Sequence, residues 1–180
     1  MTVSEKLTIF YKENNLSEEG GVNEDFFNLK FRLFTVKLPN SQFRKNVVHI
    51  HDIQHILYDC DISWKGEAFI AGWEIATGLW KHIPIGFMSL WAMGFSLLTH
   101  PKEVWKGYNA GLSVKGIIDL KMTKDELLKL SLEDLKNIIK KRKPTKMNIF
   151  QRVIYSFWVT SSLITLFFPF LLILILYLIF

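Results

Sequence analysis

The chain has 180 residues and a formal net charge of +5, and it contains a single cysteine. That length allows one modest domain once an apolar tail is set aside. The lone Cys60 excludes an intrachain disulfide framework and a cysteine-rich zinc finger. The excess of positive charge comes largely from Lys136–Arg152, just before the tail, which favours anionic lipid headgroups over nucleic acid as a partner. The motifs of nucleic-acid-binding proteins are missing.

The N-terminus lacks the pattern of a secretory signal peptide, because no basic segment is followed by an apolar one. It is also unlike a mitochondrial transit peptide, since several glutamates precede the first arginine. We therefore expect a bacterial protein, or a mature form that has already been trimmed.

The sequence predicts an all-α fold in which a compact multi-helix domain over residues 1–145 precedes a C-terminal hydrophobic membrane helix. Asp25–Lys37 is compatible with a short helix or an aromatic amphipathic stretch, and no run with strand periodicity is found. Ser41 is a good N-cap for a helix over about Phe43–Tyr58. Further helices are expected over Gly66 to about Leu79, Ile85–Leu98, Pro101 to about Leu112, Met122–Leu128 and Leu132–Leu135, the last two with Thr123 and Ser131 as caps.

The first long helix carries a candidate metal site. At about 100° per residue, His51, Asp52 and His55 fall within one arc of a helix. Glu67, near the start of the next helix, is placed to add a fourth ligand. Imidazole and carboxylate ligands in this number are typical of zinc, or of another divalent metal. Asp52 could bind the ion directly, or it could orient a histidine ligand by hydrogen bonding without touching the ion. A further alternative stays open, in which no metal is bound and the histidines are core residues.

Other metal-site classes fit less well. The zincin motif requires glutamate directly after the first histidine, where this chain has Asp52. Phosphohydrolases with a His-Asp pair need a histidine well upstream, and only His49 precedes His51. The repeated Glu-x-x-His motifs of di-iron bundles are absent.

The segment Ala68–Leu98 is unusually apolar for a small soluble domain. It is compatible with a helical core, with a groove for a long apolar ligand or with a further dip into a membrane. Lys81 and His82 make an uninterrupted membrane span across the segment unfavourable.

The C-terminal segment 153–180 has no charged residue, and about 20 apolar residues suffice to cross a bilayer. Six basic residues crowd its near end and predict that the preceding domain lies on the cytoplasmic side. They are Lys140, Lys141, Arg142, Lys143, Lys146 and Arg152. Whether this tail spans once or turns back is left open, with Pro169 as a position for a kink.

The pattern His51-Asp52-x-x-His55, eleven residues and Glu67 resembles the signature of the ubiquinone (coenzyme Q) biosynthesis protein 4 family. Val104–Gly111 and Leu128–Ile139 resemble later segments of that family, whereas Asn109 and Ala110 stand where its members tend to carry arginines. The apolar tail is not a usual family feature.

The resemblance implies an all-helical fold, zinc held by His51, Asp52, His55 and Glu67, and a role in ubiquinone or prenylquinone synthesis. It leans towards a metal-dependent lyase that removes the ring carboxylate of a polyprenylated hydroxybenzoate, with hydroxylation at the same carbon. Asp52 and Glu67 are the expected catalytic carboxylates, one of which would loosen to admit substrate. Implied partners are the prenylated precursor or an isoprenoid lipid, the membrane and other quinone-biosynthesis enzymes, but no nucleic acid; a homodimer stays open.

Two rival functions remain from the sequence. One is a non-catalytic scaffold that binds an isoprenoid lipid and organises partner enzymes around a structural metal. The other is a membrane domain whose histidines bind nothing. The expected location is the cytoplasmic face of a bacterial inner membrane, or the matrix side of the mitochondrial inner membrane in a eukaryote.

Overall fold

The computed structural model describes residues 1–30, 34–141 and 147–179. Within these residues the chain forms eight α-helices and one two-stranded antiparallel sheet, so the predicted all-α class with an apolar C-terminal helix is confirmed. The elements are α1 (Val3–Glu13), β1 (Phe26–Lys30), β2 (Thr35–Pro39), α2 (Gln42–Tyr58), α3 (Trp64–Thr77), α4 (Ile85–Thr99), α5 (Pro101–Gly111), α6 (Lys124–Lys129), α7 (Leu132–Ile139) and α8 (Ile149–Ile179).

The described residues form two compact units. The first combines Met1–Asp59 with Met122–Asn137, and the second combines Cys60–Lys121 with Ile138–Phe180. The predicted division into a metal-binding domain over 1–145 and a tail over 153–180 stays a prediction.

Of the two alternatives left open for Asp25–Lys37, the short helix is wrong, and so is the expectation of a chain without strands. Phe26 pairs with Pro39 and Lys30 with Thr35 in an antiparallel hairpin. Along β2, exposed residues alternate with half-buried ones, which is the period-2 pattern of a strand that covers a core on one face. Residues 31–33 of the predicted segment lie outside the described residues.

Helix α2, which carries the candidate ligands, begins and ends where the sequence predicts. The Ser41 side chain accepts a hydrogen bond from the Arg44 backbone N–H at 3.2 Å and so caps the first turn. Asp59 ends the helix in the left-handed conformation, with φ of 52°. The two predicted caps further on are confirmed as well, since Thr123 and Ser131 accept from the backbone N–H groups of Glu126 and Asp134.

In the first unit, α1 packs against α2 and α6. Thr2 starts α1 with a capping box, in which its side chain accepts from the Glu5 backbone N–H and the Glu5 carboxylate accepts from the Thr2 N–H. The apolar side chains of Val3, Leu7 and Phe10 are buried. This helix, which the sequence analysis did not assign, thereby brings residues 10 and 11 to the inner side of the unit.

In the second unit, α3 and α5 cross at backbone distance. A Cβ at Gly107 would lie 1.8 Å from the Phe69 carbonyl oxygen, and one at Gly72 would lie 2.1 Å from the Val104 carbonyl oxygen. Only glycine allows two helices to approach so closely. The contact places α3 in a buried apolar cluster with α4 and α5, where Ile75 is 1% exposed.

Helix α8 has two different halves. In the first half, Tyr155, Trp158 and Val159 pack on the cluster of the second unit, and Ser162 and Leu166 are buried. From Phe167 onward the large apolar side chains are exposed, and the helix continues through Pro169 to Ile179 without a break. Its 31 residues span about 46 Å, more than the roughly 30 Å hydrocarbon core of a bilayer. Among the described residues it is the one helix long and apolar enough to cross a membrane.

The basic segment before α8 is described only in part. Arg142, Lys143 and Lys146 lie outside the described residues. The Lys141 ammonium donates to the Leu112 carbonyl oxygen at 2.9 Å, and Arg152 lies in the first turn of α8.

Candidate metal centre

Two histidines one turn apart on α2 bring their ring nitrogens together. The Nε2 atoms of His51 and His55 are 3.2 Å apart, and the two rings meet nearly edge to face at a centroid distance of 4.9 Å. Nitrogens bound at about 2.0–2.1 Å to one ion with tetrahedral angles would lie about 3.3 Å apart. The spacing therefore suits two imidazoles that share a divalent cation. His55 is 1% exposed, and His51 is half-buried.

Glu67 supplies a third donor atom. It lies in the first turn of α3, where Ser63 caps the helix by accepting from the Gly66 N–H and where the positive end of the helix dipole favours an ionised carboxylate. One donor atom each from His51, His55 and Glu67 lie within 4.8 Å of one another. These three residues form a group that could hold a metal ion, as the sequence predicts for them.

Asp52 lies outside this group of three and has a different partner. Its Oδ2 atom accepts a hydrogen bond from the Tyr11 hydroxyl at 2.9 Å, and its side chain is 7% exposed. Burial raises the pKa of Asp52, while the nearby His51 and the Tyr11 hydrogen bond oppose the rise. Burial and the neighbouring Asp52 charge likewise raise the pKa of Tyr11 above its usual range. That Asp52 binds the metal, or takes part in catalysis, stays a prediction.

A glycine turn closes over the Asp52 carboxylate. Gly20 has φ of 69°, and a Cβ there would lie 2.7 Å from Asp52 Oδ2 and 3.5 Å from the Tyr11 hydroxyl oxygen. Both the missing side chain and the left-handed backbone therefore require glycine at this position. The Asp52–Tyr11 pair is consequently held in a shielded place beside the histidines.

Two residues near the site were not found by sequence reasoning. They are Tyr11, which binds Asp52, and Phe10, whose ring centroid lies 5.7 Å from that of His55. Both come from α1, and the Thr2–Glu5 capping box was the available signal for that helix. No local signal predicts that Tyr11 meets a residue 41 positions away.

The apolar segment Ala68–Leu98 divides between two environments. On α3, Ile70, Trp73 and Ile75 are buried, as expected of a helical core. On α4, Phe87 and Met88 are 61% and 49% exposed. Of the three open interpretations, the helical core describes α3, and the ligand groove and the membrane dip stay predictions for α4.

Comparison of the chain with models of protein families, with curated proteins and with solved structures finds no match. The features of the molecule that bear on function are therefore the ligand group, helix α8 and the motif from His51 to Glu67.

Proposed function

We propose that this chain is a membrane-held zinc protein of prenylated quinone synthesis, with His51, His55 and Glu67 as ligands. The convergence of these three donor atoms is the observation that carries the proposal. Two imidazoles and one carboxylate form a ligand set that zinc commonly takes, and three protein ligands are the number found in catalytic zinc sites, whose fourth position is open.

An open position favours an enzyme over a scaffold. A bound zinc ion supplies a Lewis acid that stabilises negative charge on a phenol or carboxylate oxygen of a prenylated hydroxybenzoate. In the proposed step the bond between the ring carbon and the carboxylate breaks, carbon dioxide leaves, and a hydroxyl group takes its place on the same carbon. Dioxygen supplies the hydroxyl oxygen, a two-electron donor reduces it, and its second oxygen atom leaves as water. Asp52, held by Tyr11, is placed next to His51 in the chain and would fix the orientation of the histidines.

The apolar helix α8 supports the choice of a prenylated substrate. Such a substrate dissolves in the bilayer, so an enzyme that acts on it must reach the membrane surface. The second half of α8, with Phe168, Leu172 and Ile175 exposed, is suited to acyl chains rather than to water. The resemblance of the His51–Glu67 motif to the ubiquinone biosynthesis protein 4 signature points to the same class of substrate.

A lipid-binding scaffold is the second candidate, and the buried Asp52 is the observation that favours it. If Asp52 turned from Tyr11 to the metal, four protein ligands would saturate the ion, which is typical of structural sites. The chain would then bind zinc but would not convert the prenylated hydroxybenzoate.

Metal content of the full chain, purified in detergent, tests the ligand group. We expect about one zinc per chain in the wild type, and loss of the metal in His55→Ala and Glu67→Gln. His82→Ala is a matched histidine control, because His82 binds Asp119 at 3.0 Å. Glu103→Gln is the matched carboxylate control, because Glu103 also lies in the first turn of a helix. Full metal content in both ligand variants would overturn the assignment.

Turnover is tested with the zinc-loaded chain in aerated liposomes that contain a prenylated hydroxybenzoate and a two-electron donor. Release of carbon dioxide by the wild type and Glu103→Gln, but not by Glu67→Gln, supports the enzyme. The scaffold would be favoured if the wild type held the expected zinc but released no carbon dioxide. Partner enzymes would still assemble on it in that case.

A further inference from the structure

Helix α4 has an inverted distribution of side chains. Its buried residues are mostly small or carry a hydroxyl group: Gly86, Ser89, Gly94 and Ser96, together with Met93. Phe87, Met88 and Leu98 are exposed, by 61%, 49% and 57%. A helix on the surface of a soluble domain normally buries its large apolar residues and exposes its polar ones. The outward side of α4 is therefore suited to an apolar surrounding.

The buried Ser89 on α4 has a protein partner. Its hydroxyl donates to the Glu74 carboxylate at 2.7 Å, and both side chains are buried. The exposed Phe87 and Met88, by contrast, carry no side-chain group that donates a hydrogen bond. This arrangement is what the hydrocarbon of a bilayer imposes on a helix, since unsatisfied polar groups are costly there.

Helix α4 packs directly against α8. A Cβ at Gly94 would lie 2.4 Å from the Ser162 carbonyl oxygen and 3.1 Å from the Leu166 Cβ, so the two helices touch at backbone distance. Small residues that permit such close approach are typical of helix pairs in membranes. Ring contact between Trp80 and Trp158, at 4.8 Å, adds a second point of attachment near the start of α4.

Charge is confined to the ends of α4. No charged residue occurs from Ile83 to Thr99, whereas Lys81 precedes this segment and Lys102 follows it. The Lys81 ammonium lies 5.5 Å from the ring centroid of Trp80, which is 38% exposed. Tryptophan and lysine at the end of an apolar helix are characteristic of the headgroup region.

We propose that α4 is a second membrane-embedded element, whose outward residues Phe87 and Met88, together with Ile83 just before the helix, contact lipid acyl chains beside α8. The inference rests on the membrane location proposed above. It adds α4, a helix of the second unit, to the part of the chain that is inserted in the membrane. With 15 residues, α4 measures about 22 Å and is too short to cross the hydrocarbon core. It therefore lies within one leaflet of the bilayer, beside the longer helix α8.

Lipid quenching of single fluorophores tests this arrangement in the full chain. Cys60→Ser removes the native thiol, after which Phe87→Cys or Met88→Cys carries an environment-sensitive dye. Ile173→Cys on α8 is the lipid-exposed reference, and Lys106→Cys on α5 is the water-exposed one. The proteins are placed in phosphatidylcholine–phosphatidylglycerol liposomes with nitroxide groups on the acyl chains.

We expect dyes at positions 87 and 88 to lose as much fluorescence to the nitroxide lipids as the dye at 173, and the dye at 106 to lose none. Quenching at 173 without quenching at 87 and 88 would overturn the insertion of α4 and leave α8 in the membrane. If oxidation then cross-linked Phe87→Cys between two chains, a second copy would be the occupant of this surface. No quenching at 173 would overturn both membrane assignments. Zinc content, measured on the same samples, separates these results from failure of the metal site.

Discussion

Helices α2 and α4 depart from the usual distribution of side chains in opposite directions. Helix α2 buries polar residues, with His49, Asp52, Gln54 and His55 at most 9% exposed. Helix α4 exposes large apolar ones, among them Phe87 and Met88. Each inversion is unfavourable in water unless something compensates for it. For α2 the proposed compensation is hydrogen bonding and a cation, and for α4 the proposed compensation is an apolar solvent.

Helices α2 and α4 have different requirements of their surroundings. A buried imidazole or carboxylate needs a specific partner at a defined distance, as in the 2.9 Å contact between Tyr11 and Asp52. An exposed apolar surface needs only a medium without water, so it places no demand on individual distances. Variants of α2 should therefore respond to metal and to single atoms, whereas variants of α4 should respond to the presence of lipid.

The largest expected effect comes from adding zinc to the detergent-purified chain. A ligand present at a thousand times its Kd stabilises the folded state by about 4 kcal/mol, because it binds only that state. We expect a corresponding rise in Tm for the wild type, measured by circular dichroism and reversed by a chelator. His55→Ala should show no rise, and His82→Ala should behave as the wild type. An equal rise in His55→Ala would place the metal elsewhere.

The next effect concerns α4 and depends on the lipid. Met88→Asp should cost up to about 3 kcal/mol in liposomes, because a carboxylate within hydrocarbon is unfavourable. If α4 lay in water instead, the exposed position would tolerate the change within about 0.5 kcal/mol. Chemical unfolding of the wild type and of Met88→Asp in liposomes distinguishes these two values.

Ile9→Asp is the matched control for that experiment. Ile9 is an exposed apolar residue of α1, 40% exposed, and lies in the other compact unit. Its substitution should change the free energy of unfolding in liposomes by no more than about 0.5 kcal/mol. If Met88→Asp were equally harmless in liposomes, α4 would be in contact with water.

Local features of α2 could be predicted from sequence, whereas its partners could not. Ser41 as a cap and the spacing of His51 and His55 are determined by neighbouring residues, and both predictions hold. The contact between Tyr11 and Asp52 joins positions 41 residues apart, so no periodicity encodes it. The direction of the Asp52 carboxylate, on which its role depends, is set by this contact.

The fold shows the same division between local and distant information. The capping residues Thr123 and Ser131 and the apolar run of α8 were readable from the sequence. The hairpin over Phe26–Pro39 was not, because its strands are short and aromatic residues fit a strand or an amphipathic helix equally well. For α4, composition indicates an apolar helix but not which of its sides is exposed, since Gly94 meets Ser162 from a distant part of the chain.

A smaller effect is expected from Tyr11→Phe. Loss of the hydroxyl leaves the buried Asp52 carboxylate without this donor, which should cost about 2 kcal/mol of unfolding free energy. If Asp52 orients the histidines, zinc affinity should also fall, by roughly 10- to 100-fold. Tyr177→Phe, on the exposed part of α8, is the control and should change neither quantity. A variant with unchanged stability and affinity would show that the α2 polar residues do not depend on this hydrogen bond.

The smallest effect concerns the start of α1, the helix that carries Tyr11. Thr2→Ala removes the side-chain oxygen that accepts from the Glu5 backbone N–H, and loss of such a cap costs about 1 kcal/mol. Thr2→Ser keeps the oxygen and should retain nearly full stability. Residues 2 and 11 are about 13 Å apart along the helix, so zinc content should stay unchanged in both variants. Loss of zinc in Thr2→Ala alone would mean that the polar side of α2 depends on the whole of α1 and not only on the Tyr11 hydroxyl.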